Sequence, residues 1–457
     1  MPKQRVLFVC SECGAEHTKW QGQCSACKSW NSLSELKAST GAVMPRGPQG
    51  ELQKAVKLSE VVVKKLPRLS SGQTEFDRVL GGGLVPGSVV LISGNPGAGK
   101  STLLTQVSSF MSETGPVLYV AGEESLAQVA IRASRLSLPV GNLDIVSETS
   151  CERLISIWRE LTPNVVIVDS IQVMFTENSD SSPGGLNQVR ESASMLIHEA
   201  KISNTVLILV GHVTKEGSLA GPRTLEHMID AFISLEGQSD SKFRMLRSIK
   251  NRFGPVNELG VFAMTEKGLR EVKNPSSIFL SRSPELKSGS VVTVVWEGTR
   301  PLLLEIQALV DESVLGQARR VVVGLEQNRL AMLLAILHRH GGLQVADQDV
   351  FVNAVGGIRI TETSSDLALL ASVISSFRNW VLPQDLVIFG EVGLSGEIRP
   401  VPNGQERIKE AFKHGFKIAV IPHGNRPSKL IDKSISIIAV KNLSEVITHL
   451  ESLSSSN

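Results

Sequence analysis

Four of the five cysteines lie within the first 27 residues, in two pairs of identical spacing. Each pair is a C-x2-C motif, ten residues separate the pairs, and the members are Cys10, Cys13, Cys24 and Cys27. Two such turns can aim four thiolates at one point, which predicts a closed, structural Zn²⁺ site. Metal binding would then fold a segment too small to hold a core alone. Disulfide bonds and unrelated free thiols are the alternatives, and Cys151 stands apart as an ordinary thiol.

A glycine-rich segment follows the apolar run SVVLIS and matches G-x-x-x-x-G-K-[ST] in full. Its backbone N–H groups can surround phosphate oxygens, and the helix predicted after it presents its positive end to the same place. The lysine would neutralise the β- and γ-phosphates of ATP, and the serine hydroxyl would bind Mg²⁺. The residues predicted to hold the nucleotide are Gly94, Asn95, Pro96, Gly97, Ala98, Gly99, Lys100, Ser101 and Thr102.

Polar residues end three further apolar runs. Asp169 follows the last apolar residue of VVIVDS, where it would contact Mg²⁺ through water. Glu123 and Glu124 follow VLYVAG, and either carboxylate could orient and deprotonate the attacking water; exposed glutamates are the alternative. His212 follows TVLILVG, where a neutral imidazole could sense the γ-phosphate, although a lone histidine is more often structural.

Two cations occur in the later segment KNRFG, as Lys250 and Arg252. Side chains at i and i+2 of an extended segment point the same way, so both could reach one polyphosphate. That polyphosphate could be bound by a neighbouring subunit, with the cations acting in trans. A solvated basic turn is the alternative.

The elements that must position these residues are short apolar runs that alternate with helical patterns. This alternation predicts an α/β fold with a mostly parallel sheet. A length of 457 residues indicates more than one domain. We expect a four-cysteine ribbon, a linker, a nucleotide-binding core and a further domain at residues 1–40, 41–57, 58–266 and 267–457.

Composition limits the function. The 47 basic and 45 acidic residues nearly cancel, so any nucleic-acid contact must be a local patch. Aromatic residues make up only 4%, which argues against a large stacking platform for single strands. No apolar run reaches the ~18 residues that span a bilayer, and the N-terminal apolar segment is too short for a signal peptide. A cytoplasmic enzyme without a membrane partner is expected.

The ribbon, the phosphate loop and KNRFG together resemble the RadA (Sms) family of bacterial DNA-repair proteins over nearly the whole chain. The resemblance implies a zinc ribbon, a RecA-like P-loop ATPase core and a Lon-protease-like α+β domain. It also implies a hexameric ring that binds single-stranded and branched DNA and drives branch migration with RecA after DNA damage. By position, Asp169 is the Mg²⁺-side acid and Glu123 matches the catalytic glutamate better than Glu124. Lys250 and Arg252 resemble the paired trans-acting cations of ring helicases.

The resemblance also suggests DNA contacts. Loops 176–190 and 216–224 follow strands that face the central channel of RecA-like rings, with positive charge near them at Arg190, Lys215 and Arg223. In the last domain, Arg319 and Arg320 are candidates for a DNA-facing surface, and a solvated charge cluster is the alternative.

The Lon-like segment raises the question of proteolysis. ITETSSDLALLASV resembles the Lon region around its serine and places Ser364 at the nucleophile position. The Lon lysine is replaced by Arg407, whose guanidinium cannot lose its proton to act as a general base. Lys409, two residues on, would point to another helix face. We therefore expect a DNA-dependent ATPase and motor; an ATP-dependent Ser-Lys protease and a non-motor RecA-like ATP switch are the alternatives.

Overall fold

The computed structural model describes residues 7–17, 19–36, 67–179, 181–212, 225–237, 242–280, 287–313, 318–428 and 435–455. The chain divides into two compact units, Met1–Val272 and Lys273–Asn457. The linker predicted at residues 41–57 lies outside the described residues, as do loop 216–224, Lys215 and Arg223. No helix in these ranges has the length and apolar character needed to cross a membrane.

The first unit begins with a small antiparallel sheet in the order β2-β1-β3. Its strands are β1 (Leu7–Cys10), β2 (Glu16–His17) and β3 (Leu33–Leu36). Its buried apolar cluster, as far as the structure describes it, consists of Cys10, Cys24 and Leu33, with Phe8 and Ala15 packed against them. Such a cluster is too small to stabilise a fold alone, as expected for a segment held by a metal.

The rest of the first unit is a sheet in the order β12-β11-β10-β9-β4-β8-β7-β5-β6, of which nine strands fall in the described residues. Pairing is parallel from β9 to β6 and antiparallel from β9 to β12. The elements in chain order are α1 (Thr74–Val79), β4 (Val89–Gly94), α2 (Lys100–Ser112), β5 (Val117–Ala121), α3 (Leu126–Arg135), β6 (Leu143–Val146), α4 (Cys151–Leu161), β7 (Val165–Asp169), α5 (Leu186–Ser203), β8 (Val206–Val210), β9 (Ala231–Glu236), β10 (Phe243–Asn251), β11 (Leu259–Thr265) and β12 (Gly268–Glu271).

The central parallel strands β4, β5, β7 and β8 are buried on both faces, which explains why they are almost entirely apolar. In β4, Val90 and Ile92 belong to the apolar cluster that contains Leu103 of α2. Val89 and Leu91 belong to the opposite cluster, which includes residues of α4 and α5. The mostly parallel α/β sheet predicted from the apolar runs is therefore confirmed.

The boundary predicted between residues 266 and 267 is wrong. It falls inside the β11–β12 hairpin, where Thr265 pairs with Gly268 and Phe262 pairs with Glu271. Since these pairs continue the core sheet, the first compact unit extends through β12 to Val272.

The second unit has a mixed sheet in the order β15-β16-β14-β13-β17-β20-β21 and a separate β18–β19 pair within the described ranges. Helix α7 (Asp366–Arg378) is buried from Asp366 to Ser375, as its apolar sequence requires. The elements in chain order are β13 (Ser290–Glu297), β14 (Arg300–Glu312), β15 (Arg320–Val323), α6 (Gln327–Gly341), β16 (Gln348–Ala354), α7 (Asp366–Arg378), β17 (Leu386–Ile388), β18 (Glu391–Val392), β19 (Ile398–Arg399), α8 (Gly404–Lys413), β20 (Ile418–Pro422), β21 (Ser436–Val440) and α9 (Leu443–Ser454).

Candidate nucleotide-binding and metal sites

The predicted phosphate loop leaves the carboxyl end of β4 and enters α2 at Lys100. A side chain on Gly94 would bring its Cβ within 2.3 Å of the Leu235 carbonyl oxygen, so only glycine fits there. Gly99 caps α2 in a left-handed conformation with φ of 103°, which favours glycine. A Cβ built on Gly97 would meet no protein atom within 4 Å. The loop is therefore packed from beneath by protein and open at Gly97, where a phosphate can approach.

The side chain of Lys100 turns back onto this loop. Its Nζ donates hydrogen bonds to the carbonyl oxygens of Gly94 at 2.8 Å and Asn95 at 3.2 Å. Burial lowers the pKa of Lys100, and the nearby carboxylates of Asp169 and Glu123 oppose that shift. Phosphate oxygens are better acceptors for this ammonium than neutral carbonyls, because their hydrogen bonds are charge-assisted on both sides.

Asp169 ends β7 beside the loop and is 8% exposed. Its Oδ2 accepts a 2.7 Å hydrogen bond from the hydroxyl of Tyr119, which lies on the neighbouring strand β5. A carboxylate at this strand end, close to Lys100, suits the water-mediated Mg²⁺ contact expected from the sequence. With Ser101 at the first turn of α2, it forms the oxygen set that would hold Mg²⁺.

The two adjacent glutamates after β5 have different surroundings. Glu124 is engaged by Arg132, whose Nη1 lies 2.8 and 2.5 Å from the two carboxylate oxygens. Glu123 instead accepts a hydrogen bond from the Ser170 hydroxyl. Its Oε1 also lies 3.2 Å from Nε2 of His212, a contact without hydrogen-bond alignment that becomes an ion pair when the imidazole is protonated. Glu123 and His212 thus lie together beside the loop, whereas Glu124 is tied to helix α3.

Arg244 is a residue of the nucleotide site that sequence reasoning missed. It is 5% exposed, near the start of β10, and its Nε donates a 3.0 Å hydrogen bond to the carbonyl of Ala98 within the phosphate loop. The available signal was a charged residue in a strand whose neighbours alternate between buried and half-buried positions. Its partner could not be read from the sequence because the two residues are 146 positions apart.

Lys250 and Arg252 lie together at the end of β10. Lys250 Nζ donates to the carbonyls of Glu226 and, at 2.9 Å, of Ile229. Arg252 Nη1 lies 3.3 Å from Oδ1 of Asp230. Burial, together with the neighbouring guanidinium of Arg252, lowers the pKa of Lys250. Both cations thus reach one segment, 226–230, as expected for side chains on the same side of an extended stretch.

These two cations are at the opposite end of the sheet from the phosphate loop of their own chain. The Arg252 amide donates to the carbonyl of Asp230, whose carboxylate accepts a 3.0 Å hydrogen bond from the amide of Val89 at the start of β4. The loop begins after Gly94, at the end of the same strand. At about 3.3 Å per residue, this strand alone separates the two places by roughly 16 Å.

The four cysteines of the ribbon converge. Their sulfur atoms all lie within 4.8 Å of one another, and the pairs Cys10–Cys27 and Cys13–Cys24 are each 3.6 Å apart. Tetrahedral zinc with Zn–S bonds of ~2.3 Å places its sulfurs about 3.8 Å apart, so this cluster has the right size. The two turns match, since Gly14 donates to the Cys10 carbonyl and Lys28 to that of Cys24, each at 2.9 Å. The four thiolates leave no open coordination position, as in structural zinc sites.

In the second unit, Ser364 and Arg407 meet. Arg407 Nη1 lies 3.2 Å from the Ser364 hydroxyl and 2.6 Å from the Val294 carbonyl, and Nη2 forms an ion pair with Glu362. Arg407 Nε donates to the carbonyl of Pro402 at 2.9 Å. Ser364 is 1% exposed and Arg407 is fully buried. The guanidinium therefore occupies the place expected for the Lon lysine, next to a hydroxyl that solvent cannot reach.

The remaining basic candidates have different surroundings. Arg319 forms an ion pair with Asp349, with Nη2 and Oδ2 2.5 Å apart, and lies over the ring of Phe351. Arg320 donates to backbone carbonyls, including that of Val345 at 2.7 Å. Arg190 is exposed near the start of α5. Of these three, only Arg190 has a side chain that extends into solvent without a hydrogen bond to the described residues.

The fold and the site define a RecA-like P-loop ATPase preceded by a four-cysteine ribbon. A family model described as an AAA domain matches residues 55–218, and one described as a rubredoxin metal binding domain matches residues 8–35. The DNA repair protein RadA of Haemophilus influenzae is 60% identical over 454 residues, 98% of this chain and 99% of that protein. The DNA repair protein RadA of Escherichia coli is 58% identical over 453 residues, 98% of each chain. The chain therefore belongs to the family of the DNA repair protein RadA.

Among solved structures, the KaiC-like protein PH0186 from Pyrococcus horikoshii is similar to part of the chain. The match covers 45% of this chain and 99% of that protein, with 18% identity and a TM-score of 0.39. Similarity at this level carries no inference about function.

Proposed function

We propose that this protein is a DNA-dependent ATPase that assembles into a hexameric ring, processes branched recombination intermediates and drives their branch migration together with RecA in the cytoplasm. One observation carries this proposal: Lys250 and Arg252 lie at the end of the core sheet remote from their own phosphate loop. If these cations act on a triphosphate, that triphosphate must be held by a neighbouring copy of the chain.

Each residue near the loop has a task in ATP hydrolysis. Lys100 would exchange its loop carbonyls for β- and γ-phosphate oxygens. Ser101 and Asp169 would hold Mg²⁺, which neutralises charge on the phosphates when it is bound. Glu123, rather than the ion-paired Glu124, would orient the attacking water and accept its proton. His212, 3.2 Å from Glu123, would respond to the γ-phosphate.

The trans contribution of Lys250 and Arg252 would complete the site. Arg252 has a half-exposed side chain, so its guanidinium can leave Asp230 for a phosphate on an adjacent chain. Asp230 would not lose its charge partner, because its Oδ2 also pairs with Lys201 at 2.5 Å. A cation delivered by a neighbour is worth roughly 10³–10⁵ in rate in related phosphoryl-transfer sites.

A subunit-mixing experiment tests this arrangement. Lys100→Ala and Arg252→Ala proteins should each have lost ATP hydrolysis when assayed alone. Mixing them before adding ATP and single-stranded DNA should restore hydrolysis, because an Arg252→Ala chain keeps its loop and a Lys100→Ala neighbour supplies the arginine. If equal amounts of the two chains assemble at random in a head-to-tail ring, about one quarter of the sites combine an intact loop with an intact arginine.

The matched control mixes Arg252→Ala with a chain carrying both substitutions, where no intact site can form. Absence of recovery in the first mixture, or full activity of Arg252→Ala alone, would contradict the shared site. Stimulation by single-stranded and branched DNA, measured over a salt series, tests the DNA partner, since binding through phosphate contacts weakens steeply with salt.

For the second unit, we propose a Lon-protease-like scaffold that supports ring assembly and does not cut peptides. Support comes from the 1% exposure of Ser364 and from Arg407, which cannot serve as a base at neutral pH. A casein-cleavage assay on the purified protein with ATP tests this proposal. No cleavage is expected from a scaffold, and cleavage would indicate a protease.

For the ribbon, we propose a zinc-stabilised module for coupling to a partner protein.

A further inference from the structure

We propose that Tyr119 and Ser170 are positioning residues, whose hydroxyl groups hold the two carboxylates of the nucleotide site. Tyr119 would fix Asp169, the Mg²⁺-side acid, and Ser170 would fix Glu123, the base for the attacking water. This inference rests on the proposed function of that site and gives roles to two residues that have none in that proposal.

Tyr119 is the only tyrosine in the chain and is 1% exposed within the apolar strand VLYVA. Burying a phenol group without a hydrogen-bond partner is costly, so its placement inside the sheet needs a reason. Its hydroxyl donates to Oδ2 of Asp169 at 2.7 Å. With Oδ2 engaged, Oδ1 is the oxygen left for the metal side.

Ser170 follows Asp169 directly and is fully buried. Its hydroxyl donates to Oε1 of Glu123, whose side chain is 40% exposed and would otherwise be free to change rotamer. The same oxygen lies 3.2 Å from Nε2 of His212, so the hydrogen bond from the serine holds the carboxylate between the end of β7 and the imidazole. Such a held carboxylate needs less reorganisation when it orients water.

The two hydroxyl contacts are reciprocal across neighbouring strands. Tyr119 of β5 donates to the acid that ends β7, and Ser170, next after β7, donates to the glutamate that follows β5. A backbone hydrogen bond of 2.8 Å from Gly122 to the Asp169 carbonyl joins the same strand ends. The metal acid and the catalytic base are therefore held at a fixed separation by one connected set of contacts, while each hydroxyl acts on a different step.

Two conservative variants separate those steps. Tyr119→Phe keeps the ring and should raise the Mg²⁺ concentration for half-maximal binding of a fluorescent ATP analogue by about tenfold, with kcat at saturating Mg²⁺ largely kept, as for other residues that orient a metal ligand. Ser170→Ala should lower kcat by about tenfold while the half-saturating ATP and Mg²⁺ concentrations stay unchanged. Ser170→Thr, which restores a hydroxyl, should recover part of that rate.

Ser108→Ala is the matched control, because Ser108 is equally buried and its hydroxyl donates only to the Thr105 carbonyl within α2. Its Mg²⁺ dependence and kcat should equal those of the wild type. Unchanged Mg²⁺ dependence in Tyr119→Phe, or unchanged kcat in Ser170→Ala, would overturn the inference. Asp169→Asn and Glu123→Gln distinguish that failure from a failure of the proposed function: hydrolysis that survives both substitutions would remove the proposed function itself.

Discussion

Each of the two compact units contains a buried cation, and the surroundings of the two cations differ. Lys100 is bonded to two neutral carbonyls of a loop that is open at Gly97. Arg407 is enclosed by a carboxylate, two carbonyls and a hydroxyl, and has no exposed surface. The first cation has partners that a triphosphate can replace. The second has partners that make it part of the core.

The difference shows why a buried cation suits ligand binding in one unit and a structural role in the other. A site for chemistry needs donors whose present partners are weaker than the ligand, and charged acceptors near them to hold a metal or a water. A guanidinium with a carboxylate partner already has its strongest partner. Ser364 thus lies next to a guanidinium that cannot act as a base, and it is 1% exposed.

The largest effect that this comparison predicts concerns Lys100. Lys100→Ala should lower ATP hydrolysis by about 100-fold or more, because one preorganised charge at the transferring phosphate is lost. Steady-state phosphate release at saturating ATP and Mg²⁺ measures it. Ser109→Ala on the same helix is a control, since its hydroxyl bonds to the Pro139 carbonyl and not to the loop. Hydrolysis at the wild-type rate in Lys100→Ala would remove the contrast between the two cations.

An intermediate effect is expected for Arg407, on stability rather than on chemistry. Arg407→Met should destabilise the second unit by about 3 kcal/mol, because it removes the charged partner of Glu362 and the donor to the carbonyls of Val294 and Pro402. Urea unfolding of the full chain, followed by fluorescence, measures the shift. The exposed Arg426→Met is the matched control and should change little. A neutral result for Arg407→Met would mean that its contacts contribute no net stability.

The smallest effect is expected for Ser364. Ser364→Ala should lower the free energy of unfolding by about 2 kcal/mol, the usual net worth of a hydrogen bond to a charged group, and should leave ATP hydrolysis intact. Purified Ser364→Ala and purified wild type should show the same background level in a peptide-cleavage assay. Peptide hydrolysis that disappears in Ser364→Ala would make the second unit a protease and reverse the comparison.

Much of the core and of the sites could be predicted because the relevant signals are local. The spacing of Cys10, Cys13, Cys24 and Cys27 fixes two turns, and the loop from Gly94 to Lys100 fixes its own geometry. Apolar runs buried on both faces identified the parallel strands before any pairing was known. Even the meeting of Ser364 and Arg407 was implied by the resemblance to Lon.

Contacts between strands that are distant in sequence could not be predicted. Tyr119 and Asp169 are 50 residues apart, and Ser170 and Glu123 are 47 apart, so only the sheet order brings them together. The misplaced domain boundary has the same origin, because nothing local shows that Gly268–Glu271 pairs with β11. Arg319, proposed from its charge as a DNA contact, has an ion pair with Asp349, which a charge count does not reveal.

Strand β10 has a further consequence for how turnover could be ordered in time. Arg244 near its start contacts the phosphate loop of its own chain, and Lys250 near its end belongs to the pair that would serve the next chain. Its nine residues span about 26 Å at ~3.3 Å per step. In a shared-site assembly, a shift of one loop on phosphate release would move the cations at the adjoining triphosphate. Neighbouring chains would then hydrolyse ATP one after another around the assembly rather than independently.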